Sequence, residues 1–166
     1  EEIDYYIKIT CVANLSWTVS EPLFQKNIDE VLSLLKDDKN CVVHIDTNCA
    51  IYILPFKEKY PNIIFILDYK LASSNMTHLM KLYNLNYVTN KDVYKFVLGS
   101  DEDLQEAYEL ITKFNLTNKC LVYFSPVFSA IKLEDIVEFM KEKNLNKVRL
   151  QVQLHKVIWD PNMKGV

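Results

Sequence analysis

The sequence predicts an α/β protein with mostly parallel strands, and three observations carry that expectation. Short apolar, β-branched runs recur along the chain, most intervals between them repeat apolar residues at helical spacing, and polar residues gather after the runs. Such runs read as buried strands. Strands alternating with helices imply crossover connections and hence a parallel sheet, either an open doubly wound sheet or a barrel of the (β/α) kind.

The elements follow in order. Leu15 to Thr18 is the first strand, continued by Thr18-Val19-Ser20-Glu21 and Pro22, and a helix is expected where Ile28, Val31, Leu32 and Leu35 fall at i, i+3, i+4 and i+7. Cys41 to Ile45 is the second strand, ended by Asp46-Thr47-Asn48; Ile63 to Leu67 is the third, ended by Asp68-Tyr69-Lys70. Ser73 to Asn90 has the weakest pattern, with a short helix across Met76 to Leu82. Val93 to Leu98 is the fourth strand, and Leu104, Ala107, Tyr108 and Ile111 mark a helix capped by Ser100 or Asp101. Cys120 to Phe124 is the fifth strand, with Ser125-Pro126 after it; Leu133, Ile136, Val137 and Met140 mark a third helix. Val148 to Val152 closes the series, followed by Gln153, His155 and Lys156.

Ligands of parallel sheets bind at the carboxyl ends of the strands, and that is the rim where the polar clusters fall. Singly, Asp46-Thr47-Asn48 is an Asx turn or cap, Lys70 a surface lysine and His155 an edge histidine. Five clusters on one rim point to a small-ligand site.

Composition bounds the partners. With 166 residues, 49% hydrophobic and 25% charged, the chain reads as one domain, 1–166. A net charge of -3, with a single arginine at Arg149, provides no basic surface for nucleic acid. The apolar runs are too short to cross a membrane and no secretory signal opens the chain, so a cytoplasmic protein is expected. Cys11, Cys41, Cys49 and Cys120 form no CxxC pair and read as reduced, buried thiols. The chain opens at Glu1 without methionine, as one part of a longer protein would.

The stretches "TVSEPLFQKNIDEVLSLLK", "VVHIDTNCA", "FILDYKLASSNM", "YKFVLGSDEDLQEAYELI", "LVYFSPVF" and "VRLQVQLHKVIWDPNMKGV" resemble, in sequence and order, the 7-carboxy-7-deazaguanine synthase family of radical S-adenosylmethionine enzymes. The resemblance covers essentially the whole chain. It implies the carboxyl-terminal part of an incomplete (β/α) barrel of the radical S-adenosylmethionine type. It also implies a carbon-nitrogen lyase that contracts 6-carboxytetrahydropterin to 7-carboxy-7-deazaguanine, the precursor of the tRNA bases queuosine and archaeosine. The implied cofactors are S-adenosylmethionine, a [4Fe-4S] cluster and Mg2+.

Carried over by position, Thr18, Asp46, Asn48, His155 and the terminal carboxylate of Val166 would meet the pterin. Ser20, Glu21, Asp68, Tyr69, Lys70, Ser125 and Pro126 would bind S-adenosylmethionine. The chain departs from the family pattern at Val19 and Ser20, where the family has two glycines, and at Cys49, where it has a third. Two added β-carbons crowd a loop whose backbone meets the cofactor.

The family's glycine-rich substrate loop and cluster-binding cysteine motif fall before this region. Cys11, Cys41 and Cys120 start or precede strands, on the rim opposite Cys49, so the cluster is not expected in this chain, nor are catalytic or metal-ligating residues. The free edge of the sheet is expected to be covered by Glu1 to Ile9, a second copy or a complementing amino-terminal half. Two further readings compete: a degenerate barrel kept as a non-catalytic binding or partner subunit, and an unrelated parallel α/β domain that binds a metabolite.

Overall fold

The computed structural model describes residues 14–18, 21–35 and 42–165. Val19, Ser20, Cys11, Cys41, Val166 and the Glu1 to Ile9 segment lie outside the described residues. Among the described residues six strands form one sheet: β1 Asn14–Trp17, β2 Val42–Thr47, β3 Ile64–Lys70, β4 Val93–Leu98, β5 Leu121–Pro126 and β6 Val148–Leu150. Each pairs in parallel with the next in the chain, in the order β1-β2-β3-β4-β5-β6. Among the described residues no ladder joins β1 to β6, so the sheet is open, as an incomplete barrel requires.

Among the described residues five α-helices punctuate the strands: α1 Ile28–Leu35, α2 Leu54–Lys59, α3 Asp101–Phe114, α4 Leu133–Glu142 and α5 His155–Ile158. Of the two candidate caps for α3, Ser100 does the capping, its hydroxyl accepting from the Asp103 amide at 3.3 Å. Asn115 ends that helix at φ 52°, a conformation asparagine tolerates.

Side chains of a strand alternate between the two faces of the sheet, and here the faces differ sharply. Val43, Ile45, Phe65, Leu67, Tyr94, Phe96, Leu98, Val122 and Phe124 are all buried, in one cluster with Leu32, Leu104, Ala107, Ile111 and Ile136 of the helices. Aromatic rings cross this face from strand to strand, with Tyr69–Tyr94 centroids 5.8 Å apart, Tyr94–Phe96 5.2 Å and Phe96–Phe124 6.4 Å. Burial of each such side chain contributes about 1.5–3 kcal/mol, which makes this face the main source of stability. The opposite face carries half-buried residues, among them His44, Asp46, Asp68, Lys70 and Lys95.

Two loops at the strand ends are tied down by one buried carboxylate. Asp103, fully buried in the first turn of α3, accepts from the Ser73 amide at 3.0 Å, the Gly99 amide at 2.7 Å and the Ser73 hydroxyl. A β-carbon on Gly99 would stand 2.6 Å from Ser73 Oγ, an atom that the Asp103 bond keeps from swinging away. Gly99→Ala should therefore cost about 1–3 kcal/mol in urea unfolding, and Ser73→Ala should recover part of that loss in the double variant. A neutral Gly99→Ala would show that the loop after β3 yields freely.

Three expectations are corrected. The strands run further into the polar residues than their apolar runs suggest: β3 continues through Asp68-Tyr69-Lys70, with Lys70 opposite Val97, and β5 through Ser125-Pro126, with Pro126 opposite Leu98. Conversely, β6 stops at Leu150. Met76 to Leu82 is not one helix but 3-10 turns at Thr77–Leu79 and Leu82–Asn86. Met80 and Lys81 are extended between them because the Lys81 amide donates to the Cys49 carbonyl at 2.9 Å, pulling the segment onto the end of β2.

Candidate functional site

The strand register assembles a polar patch on the half-buried face. Ser16 pairs with His44, Asp46 with Ile66, Asp68 with Lys95, Lys95 with Tyr123 and Tyr123 with Arg149, and residues so paired point to the same side. Lys95 Nζ lies 2.7 Å from Asp68 Oδ1, and Lys70 Nζ lies 3.5 Å from Asp68 Oδ2. Arg149 donates to the Tyr123 hydroxyl at 3.0 Å. Next to them Lys95, Ser125, Gln151, Gln153 and His155 line a cavity of about 290 Å³.

The Asp46 Oδ1 is buried with no hydrogen-bond partner among the described residues, as are Thr77 Oγ1 and the Tyr94 hydroxyl elsewhere. Burial raises the Asp46 carboxyl above the usual range, with Lys95 opposing that effect, Asp68 adding to it and His44 opposing it. The sign follows from linkage. A native state that holds this proton more tightly than the unfolded chain loses stability as pH rises through the native midpoint. Asp46→Asn should therefore unfold at a higher temperature than the unaltered chain at about pH 7, with the gap closing by about pH 3. An equal gap at both pH values would trace the effect to packing.

The other expected site residues divide by face. Asp68, Lys70 and Ser125 share the polar face, and Thr18 is exposed just past β1. Tyr69 is on the apolar face, 1% exposed, its phenol pushed up to about 12 by burial and then by Glu106 and Cys49. Its side chain is core, so only its main chain reaches the rim. Pro126, also on that side, lines an apolar groove with Val127, Phe128, Leu133 and Val157.

Glu21 is buried, and both its carboxylate oxygens are engaged within the protein. Oε1 accepts from the Leu23 amide at 3.1 Å and the Thr47 hydroxyl at 2.9 Å, and Oε2 accepts from the Asn48 amide at 2.7 Å. It thus ties the loop after β1 to the end of β2. Asn48 makes the Asx turn, its Oδ1 accepting from the Ala50 amide at 3.0 Å. Cys49 follows at φ 63°, the left-handed region that glycine enters without strain.

His44, Lys95, Tyr123 and Arg149 belong to the patch although their strands read as apolar runs or their edges. The available signal was a lone lysine inside "VYKFVL", since a charge in a buried strand needs a partner.

The described residues do not fit an iron-sulfur cluster. Cys49 follows β2 and Cys120 precedes β5, at opposite ends of parallel strands, and burial raises the Cys49 thiol well above its ordinary value and the Cys120 thiol to about 12. Cluster ligation needs converging thiolates. Nor do three or more His, Cys, Asp or Glu residues converge on a metal site among the described residues.

An open parallel sheet with one apolar face packed on helices and one face of charged and hydrogen-bonding groups defines a protein of the (β/α) class. No family model matches the chain. It is 46% identical over its full length to 7-carboxy-7-deazaguanine synthase of Clostridium acetobutylicum, covering 75% of that protein. Over 90% of its length it is 32% identical to the protein of the same name from Chlorobaculum tepidum, covering 67% of it. A third protein so named, from Methanospirillum hungatei, is 33% identical over 87% of the chain and is covered over 58% of its length. The chain belongs to the 7-carboxy-7-deazaguanine synthase family.

Proposed function

We propose that the chain, as one folded unit in the cytoplasm, binds 6-carboxytetrahydropterin on its polar face and serves its conversion to 7-carboxy-7-deazaguanine. The supporting observation is the 46% identity, without a break in coverage, to a protein named for that product. No helix among the described residues is long and apolar enough to cross a membrane.

In this reading Thr18, Asp46, Asn48, His155 and Val166 meet the pterin. S-adenosylmethionine carries an ammonium, a carboxylate and a ribose diol, which suit the charges of Asp68 and Lys70 and the hydroxyl of Ser125. Ser20 adds to that set from the first loop. Tyr69 and Pro126 serve through the main chain, and Glu21 serves by holding Thr47 and Asn48 in place. When bound, S-adenosylmethionine supplies the radical chemistry of the family; this chain's residues supply binding and orientation. No cluster or magnesium ligand is assigned among the described residues.

Calorimetry with 6-carboxytetrahydropterin in the presence of S-adenosylmethionine tests the reading. The unaltered chain should bind, and Asp46→Ala should bind at least about 10-fold more weakly, the loss of one hydrogen bond to a charged group. Failure of the folded, unaltered chain to bind would overturn it. A chain that binds the pterin yet yields no product when a cysteine-motif segment and reductant are supplied is a binding or partner subunit.

A further inference from the structure

The polar face divides by charge. Its strand acids, Asp46 and Asp68, stand on β2 and β3, whereas β4, β5, β6 and the stretch Gln151 to His155 contain no acid and bring Lys95, Arg149 and His155 to the face. Asp68 meets two cations, Lys95 at 2.7 Å and Lys70 at 3.5 Å, and no second acid among the described residues contacts either lysine. The cluster therefore keeps one uncompensated positive charge. Arg149 also has no carboxylate partner among the described residues; it donates to the Tyr123 hydroxyl at 3.0 Å and lies over that ring.

Glu21 and Asp103 commit their carboxylates to the fold, but around the cavity of about 290 Å³ the opposite holds. The Ser125 hydroxyl, the side-chain amides of Gln151 and Gln153 and the His155 imidazole make no hydrogen bond among the described residues, and Lys95 meets Asp68 alone, with N–H groups to spare. The Lys95 side chain is 19% exposed, so its charge is screened little by salt. The volume lies below the roughly 300–1,000 Å³ that encloses a whole small ligand, and it suits one functional group with the atoms that carry it. We propose that this cavity is a carboxylate-binding subsite: the Lys95 ammonium pairs with a ligand carboxylate, and Ser125, Gln151 and Gln153 donate to its oxygens. A carboxylate offers about four acceptor positions and answers the surplus positive charge. The subsite stands on the divided face and the cavity; the identity of the ligand rests on the proposed reading, in which 6-carboxytetrahydropterin and S-adenosylmethionine each carry a carboxylate. Ser125 and His155, which the resemblance divides between those two ligands, meet at this one place.

Acetate is the probe for the subsite, with acetamide as its uncharged control, at constant ionic strength. Nitrogen-15 NMR of the His155 ring and the Gln151 and Gln153 side-chain amides should show saturable shifts with acetate and none with acetamide. The double variant Lys95→Met with Asp68→Asn, which strands neither charge, should lose the saturable response. Gln151→Ala and Gln153→Ala should each weaken acetate binding with the thermal midpoint unmoved, because these side chains are exposed and bond to nothing in the fold among the described residues. Those two variants decide the matter even where the double variant fails to fold. No saturable shift with acetate, an equal response to acetamide, a response that survives in the folded double variant, or unchanged acetate affinity in both glutamine variants would each overturn the proposal.

Calorimetry then separates the two sources of the carboxylate, comparing 6-carboxytetrahydropterin with tetrahydropterin and S-adenosylmethionine with its decarboxylated form. The ligand that seats its carboxylate here should lose roughly 10- to 100-fold in affinity without it, and the double variant should erase that preference. The ratio within each pair cancels whatever Asp68 does for the rest of the ligand. A preference that the double variant leaves intact in both pairs would overturn the subsite as part of the ligand site. Binding of neither ligand to the folded, unaltered chain would overturn the pterin reading, while the acetate titration would still decide the subsite.

Discussion

Asp92→Ala should destabilise the protein by about 3–5 kcal/mol, the cost of stripping one partner from a buried ion pair. Asp92 is fully buried at the start of β4 and gathers four donors. Its carboxylate accepts from the Phe65 amide at 3.1 Å, the Thr89 amide at 2.7 Å, the Thr89 hydroxyl at 2.8 Å and the Lys57 ammonium. One side chain thus joins β3, the turn before β4 and helix α2. Removing it leaves the Phe65 amide buried without an acceptor and the Lys57 charge, 12% exposed, without its counterion. The thermal midpoint should fall by roughly 10 °C, since each kcal/mol moves it about 2–4 °C in a chain of this size. Asp92→Asn keeps the shape and one acceptor, so it should lose less. Urea unfolding checks both, and a loss under about 1 kcal/mol for the alanine variant would mean that water takes the place of the carboxylate.

Glu21→Gln should cost about 2–3 kcal/mol and also weaken ligand binding, although both carboxylate oxygens are engaged within the protein. The two carboxylate oxygens receive three donors, and an amide nitrogen in place of either oxygen sets donor against donor. Relief requires the loop after β1 or the turn after β2 to shift, and Thr18 and Asn48 sit on those two segments. Urea unfolding gives the stability loss, and calorimetry with 6-carboxytetrahydropterin should show a drop in affinity at a temperature where the variant is still folded. Unchanged affinity in a destabilised variant would separate the anchor from the site.

The order of elements was legible in the sequence because β-branched runs and helical spacing are both local signals. All six strands and the helices of the three periodic intervals fall where those signals lie. Strand ends were harder to read. Asp68 and Lys70 look like the end of an apolar run, but in a sheet with one polar face they are the polar half of an alternation that continues. The same alternation separates Tyr69 from its two neighbours, which no list of adjacent residues can convey. Lys95 escaped for the converse reason: its partner Asp68 is distant in sequence and meets it only through the β3–β4 register. Helix α2 is six residues long, too short for a periodic pattern, and the split of Met76 to Leu82 depends on a carbonyl at Cys49, far from it in the chain.

The strictly sequential strand order also bears on how the molecule forms. Among the described residues every ladder joins neighbours in the chain, so none of these pairings waits for a segment more than one strand-helix unit away. Loop closure is then modest at each step, whereas a closed barrel must finally bring its first and last strands together. A chain leaving the ribosome can add β2 to β1 and β3 to β2 as each is made, with the apolar face collecting helices in the same order. The growing edge is always the newest strand. Synthesis itself then sets the order of assembly, and the span over which an unpaired edge is open to other chains lasts only until the next strand emerges.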